Sequence, residues 1–153
     1  MASAASEPPS ADGLAETSCS LVGGCSPDTP KVPPEELPGL LAIVPAWRLS
    51  GGGDAISRSF TAKNFVAAVN FLNRITPVVE EEGHHPDVHI TNWRDVEIVF
   101  TTHAIGGLAM ADFVMAAKVD RIPVDYSPKW LKQQQAAGVD VPGVIKPPPA
   151  GGS

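Results

Sequence analysis

The chain has 153 residues, 43% of them hydrophobic, and a formal net charge of −6 at pH 7, which fits one globular domain with a modest core. The acidic balance and the lack of a basic patch weigh against direct binding to the phosphate backbone of nucleic acid, and no apolar run is long enough to cross a bilayer. No charged-then-apolar leader opens the chain and no Lys or Arg precedes Lys31, so the sequence reads as a cytoplasmic protein, or as a plastid or mitochondrial one whose N-terminus has been trimmed.

Residues 1–33 are Ser, Ala, Gly, Pro and acid without a period, and read as a disordered tail. Cys19 and Cys25 fall within it, spaced unlike a zinc site and with no second pair, and read as free thiols. Pro34-Glu35-Glu36-Leu37 opens a short helix, with Pro in the first turn and acids facing the helix dipole. Trp47–Leu49 reads as a strand and Gly51–Asp54 as a turn. Ile56, Arg58 and Phe60 alternate with Ser57, Ser59 and Thr61, the second strand of a hairpin.

Over residues 63–82 the period becomes helical. Ala68, Leu72, Ile75 and Val79 share a face, Pro77 predicts a kink by removing one bond to Asn73, and Gly83 ends the helix. The period then returns to two. Val88 and Ile90 oppose His89 and Thr91, Asn92–Asp95 turns the chain, and Val96, Ile98, Phe100 and Thr102 oppose Glu97, Val99, Thr101 and His103. After Gly106-Gly107, Met110, Phe113, Val114 and Ala117 form an amphipathic helical stripe. Residues 123–153 read as a Pro/Gly-rich tail in which Tyr126–Gln135 could form a short helix anchored by Trp130 and Leu131. The order of elements predicts a two-layer α+β domain over residues 34–122, an antiparallel four-stranded sheet with helices on one face.

All four histidines, His84, His85, His89 and His103, lie in one window of twenty residues. Imidazole titrates near neutrality and suits proton transfer. His89 has nothing further to mark it and reads as a surface residue. A metal site made of His84, His85, His103 and Asp112 is disfavoured: neighbouring histidines on extended backbone point to opposite sides, and no H-E-x-x-H pair is present. Glu80 lies one helical turn before His84, so the two can meet. Asp112 lies in the first turn of the last helix, where an acid suits the dipole in any case.

The run Glu80, His84-His85-Pro86, Trp93, His103 and Asp112 resembles the signature of pterin-4a-carbinolamine dehydratases. The likeness extends over about residues 35–122 through Trp47, Gly53–Ile56, Phe60, Phe65, Phe71 and Arg74, and Gly106–Phe113 looks most like green-plant and algal members. Ala111 stands where some members have Arg, and Val88-His89 where some have Trp; both departures bear on contacts to the pterin. The resemblance implies a hydro-lyase that converts a 4a-hydroxytetrahydropterin into a quinonoid dihydropterin in pterin recycling. It implies His84, His85 and His103 as acid–base and positioning residues, Glu80 and Asp112 as supporting acids, and neither cofactor nor metal. It also implies a homodimer or homotetramer. Trp93 reads as a turn aromatic packed on the sheet. The alternative is a non-catalytic interaction module, like the relatives that serve as a transcription coactivator or as Rubisco assembly factors, with the tails offering a surface to a protein partner.

Overall fold

The alternating residues at 55–61 and 95–100 are the ones that meet at the centre of the sheet. In the computed structural model, which describes residues 9–145, β2 (Ala55–Thr61) and β4 (Asp95–Phe100) pair antiparallel with Ile56 opposite Phe100, Arg58 opposite Ile98 and Phe60 opposite Val96. Because side chains alternate along a strand, this register puts Ile56, Phe60, Val96, Ile98 and Phe100 on one face, and all five are buried. The hairpin partners β1 (Arg48–Ser50) and β3 (Asp87–Thr91) take the edges, giving the order β1-β2-β4-β3. The strand expected at Trp47–Leu49 begins one residue later, and Trp47 instead buries its ring against Phe100.

Helix α3 (Phe65–Glu82) covers the buried face with Ala67, Ala68, Phe71, Ile75 and Val79. Asn64 caps its start by accepting from the Ala67 amide at 2.8 Å, and Gly83 ends it in the left-handed conformation at φ 65°. The helix is continuous across Pro77, which is exposed, so the Asn73 carbonyl that loses its donor faces solvent. Between Thr91 and Asp95, which pair across the hairpin, the three-residue loop Asn92-Trp93-Arg94 places Asn92 and Trp93 in the left-handed region at φ 49° and 55°. Trp93 is therefore turned out from the sheet, 54% exposed, with the Arg94 guanidinium 4.7 Å over its ring.

Helix α4 (Met110–Asp120) departs from the amphipathic expectation, since Ala111 to Ala117 and Val119 are all buried. The reason lies in the flanks. Residues 9–33, expected to be structureless, form helix α1 (Ala11–Glu16), which packs on α4 and buries Leu14 and Ala15. Ser10 caps α1, accepting from Gly13 N at 3.0 Å. The other flank also joins the core. Residues 124–127 run beside the end of β2, Tyr126 meets Phe60 edge-on at 5.3 Å, and Trp130 of helix α5 (Pro128–Ala136) stacks on Tyr126 at 5.2 Å. Short helix α2 (Leu37–Ile43) adds Leu40. Residues 1–8 and 146–153, the ends of the two expected tails, lie outside the described residues.

Arg58, on the core face of β2, is 2% exposed. It reaches Asp120 Oδ1 at 2.9 Å, the Tyr126 hydroxyl and the Pro142 carbonyl, and Trp47 Nε1 donates to the same Asp120 oxygen at 2.9 Å. Burial pushes the Asp120 carboxyl above the ordinary carboxylate value, against the pull of Arg58.

Candidate active site

Three of the four histidines come together where α3 ends, β4 ends and α4 begins. Gly83 swings the chain out of α3, and the rings of the next two residues part. His84 turns inward and is 5% exposed; His85 turns outward.

Three donors converge on the carboxylate of Asp112, which is fully buried in the first turn of α4. His84 Nε2 donates to Oδ1 at 2.6 Å, Thr102 Oγ1 donates to Oδ2 at 2.8 Å, and the Ala109 amide donates to Oδ2 at 2.9 Å. The His84 ring also lies over Phe100, with centroids 5.8 Å apart and planes at 16°. Position and tautomer of His84 are thus both set: Nε2 is committed to the carboxylate, which leaves Nδ1 as the atom free to exchange a proton. Among the described residues every buried side-chain polar atom has a partner. Among the described residues His84 Nδ1 has no hydrogen-bond partner, and His84 lines a cleft.

That cleft has a volume of about 250 Å³, and its walls include His84, His85, His103, Thr101, Thr102 and Cys25. His103 is exposed and does not end a strand as its period suggested. β4 stops at Phe100, Thr102 pairs with Gly107, and His103 opens a single 3-10 turn, His103–Ile105, closed by Gly106 at φ 63°. The turn lifts the His103 ring to the cleft edge.

Glu80 does not meet His84. It pairs with His85 Nε2, both side chains more than half exposed. Once Gly83 has sent His84 inward, only the next residue can fold back over the last turn of α3. Such an exposed pair adds little to stability, and its effect is to hold the His85 ring near the cleft. His89 is exposed in β3 and lies outside this cleft. Sequence reasoning missed Thr102 and Cys25. Thr102 carried one signal, a hydroxyl at a core-facing position. Among the described residues no three His, Cys, Asp or Glu side chains are grouped to hold a metal ion, and no helix is long and apolar enough to cross a membrane.

Residues 30–122 match the family model described as pterin 4 alpha carbinolamine dehydratase. Relatives from Saccharophagus degradans and Marinobacter nauticus, named within that family, are 43% and 42% identical. The alignments cover 64% and 71% of this chain and 88% and 96% of theirs. The protein named pterin-4-alpha-carbinolamine dehydratase 2, mitochondrial, of Arabidopsis thaliana is 41% identical over 88 residues, 56% of this chain and 47% of that one. A crystal structure from Brucella melitensis, described as a transcriptional coactivator/pterin dehydratase, superposes with a TM-score of 0.55 at 27% identity, covering 60% of this chain and 96% of that one. Fold and relatives together define a small α+β hydro-lyase. The chain belongs to the pterin-4-alpha-carbinolamine dehydratase family.

Proposed function

We propose that the chain dehydrates a 4a-hydroxytetrahydropterin to the quinonoid dihydropterin by histidine acid–base catalysis, and so serves pterin recycling. The observation that carries this reading is the buried His84–Asp112 pair facing a cleft whose rim holds His85 and His103. In this mechanism His84 Nδ1 takes the proton from N5. The N5 electron pair forms the C4a=N5 double bond, the C4a–O bond breaks, and the oxygen leaves as water with a proton from His103. Exchange with solvent resets both rings. Asp112 holds His84 in the basic tautomer, and Glu80 steadies His85 beside the substrate.

Dehydration of freshly generated 4a-hydroxytetrahydropterin, followed by ultraviolet absorbance, tests the reading. His84→Ala and His103→Ala are expected to lower kcat by about a hundredfold or more, the usual range for a positioned acid or base. No acceleration by folded wild type would sink it and favour a non-catalytic interaction role, a reading that the coactivator description of the Brucella neighbour keeps in view.

The same reading includes assembly into a homodimer or homotetramer, with any further protein partner engaged through the chain ends. Its physical basis is surface: Phe65 and Val66 are 54% and 64% exposed side by side at the start of α3. Sedimentation at micromolar concentration is expected to give a species of two or four chains, and monomer alone would reject it. A fluorescent fusion is expected to be cytoplasmic; mitochondrial signal would move the protein to the compartment in the Arabidopsis relative's name.

A further inference from the structure

The cleft has a wall that the family match barely reaches. Cys25 lines it together with the three histidines, yet the match begins at residue 30. Cys25 belongs to a segment, Ser18–Val32, that crosses both elements carrying the His84–Asp112 pair. On the α3 side the Cys19 amide donates to Glu82 Oε1 at 2.8 Å. On the α4 side the Cys19 thiol donates to the Ala111 carbonyl at 3.7 Å, and the Val32 amide donates to the Leu108 carbonyl at 2.8 Å. Lys31 lays its methylenes over Gly107, where an added Cβ would come within 3.3 Å of Lys31 Cε.

The loop between these anchors is built, not slack. Thr29, 6% exposed, donates from Oγ1 to the Gly23 carbonyl at 2.7 Å and accepts from the Ser26 amide at 2.9 Å. Gly23 and Gly24 take φ 109° and 71°, where a side chain would strain the turn. A loop pinned at both ends and bonded across its middle presents Cys25 to the cleft in a fixed place.

We propose that the Ser18–Val32 strap is a specificity wall of the substrate site, with Cys25 facing the substituent at C6 of the pterin. The inference rests on the dehydratase reading of the histidine cleft. Its chemistry is simple: the reaction turns the C4a–N5 single bond into a double bond, and C6 is the next ring atom after N5. Imidazoles that reach the reacting atoms therefore stand beside the C6 substituent, and whatever shares their cleft meets it first. The volume of about 250 Å³ falls below the usual lower bound for a ligand pocket, about 300 Å³. With the strap in place the cleft takes a bicyclic ring with a short substituent. A bulkier side chain at position 25 takes away the space of the substituent and leaves the reacting atoms untouched.

The test compares two 4a-hydroxytetrahydropterins, one with methyl and one with dihydroxypropyl at C6, on wild type and Cys25→Phe, with thermal melts showing that the variant is folded. Cys25→Phe is expected to raise KM about tenfold or more for the dihydroxypropyl substrate, by less than about threefold for the methyl one, and to leave kcat within about twofold. Equal effects on both substrates, or none, would overturn the wall. Fluorescence titration of the two corresponding 7,8-dihydropterins runs beside the kinetics. If wild type binds them without turnover, the dehydratase reading fails, and the same selectivity shift in Kd upholds the wall while its absence removes it. If wild type neither binds nor turns over a pterin, both fall.

Discussion

The Asp112 carboxylate accepts from His84 on one oxygen and from Thr102 and the Ala109 amide on the other. Asparagine has one acceptor oxygen, and the two donors on the Oδ2 side hold it there. The amide nitrogen of an Asp112→Asn variant then faces His84 and donates to Nε2, which moves the ring proton to Nδ1 and turns the proposed base into a donor. The expected result is kcat lowered by about a hundredfold with melting changed far less than by Asp112→Ala, which leaves several buried donors unpaired at about 1–3 kcal/mol each. Equal loss of folding in both variants would make Asp112 purely structural. The thiols differ by the same kind of local argument. Burial and the neighbouring Glu82 push Cys19 up to about 12, so alkylation at pH 8 is expected to label Cys25 and spare Cys19, because the thiolate is the reactive form; mass spectrometry decides. The residue types at the candidate site were legible because the His-His-Pro run and its spacing are local features. Their partners were not. Which histidine turns inward depends on the left-handed Gly83, so the pairing of Glu80 with His84 gave way to Glu80 with His85 and Asp112 with His84.

Elements with a strong period were readable, and those shaped by distant neighbours were not. The four-three-four stepping located α3, and alternation located β2, β3 and β4. Thr102 and His103 continue the alternation of β4 on paper, but Gly106-Gly107 pulls the chain into a tight turn and ends the strand at Phe100. Helix α4 has two buried sides because α1 covers one of them, and α1, six residues long, is too short for its sequence to announce it. The alternation also put a cation on the core face of β2, and Arg58 finds its counterion in the last residue of α4, Asp120. Arg58→Leu removes that cation and is expected to cost about 3–5 kcal/mol at pH 7 in denaturant melts, the usual loss for half of a buried pair. Because burial raises the folded-state pKa of Asp120, the folded protein binds the proton more readily than the unfolded chain does. Stability from this group is therefore gained as pH falls through the raised value and lost as pH rises. The deficit of Arg58→Leu is accordingly expected to shrink as pH falls toward the carboxylate range. Arg58→Leu combined with Asp120→Asn is expected to lack that trend, and a deficit constant with pH would place the cost in packing alone.

A boundary drawn at residues 34–122 follows the order of elements along the sequence, yet the core does not stop there. Leu14, Ala15 and Cys19 on one side, and Val124 and Tyr126 on the other, belong to the same cluster as Phe60, Phe71 and Val114. The carboxyl-terminal flank is tied in once more, through the Pro142 carbonyl that accepts from Arg58, and it is closed on itself by Tyr126, which donates to the same carbonyl, and by the Val124 amide, which donates to Gly143 O at 2.9 Å. Gly143 has φ 70°, and a Cβ there would lie 2.4 Å from the Ile122 carbonyl oxygen, so only glycine lets the chain close up at this point. Burying a large apolar side chain is worth about 1.5–3 kcal/mol, and small domains hold only about 5–15 kcal/mol in all. Removing Leu14, Val124 and Tyr126 together, and leaving Arg58 with fewer partners, therefore takes away much of the total. A fragment of residues 34–122 is expected to show no cooperative calorimetric melt, whereas the 153-residue chain is expected to melt cooperatively. A cooperative, active 34–122 fragment would return both flanks to the status of tails.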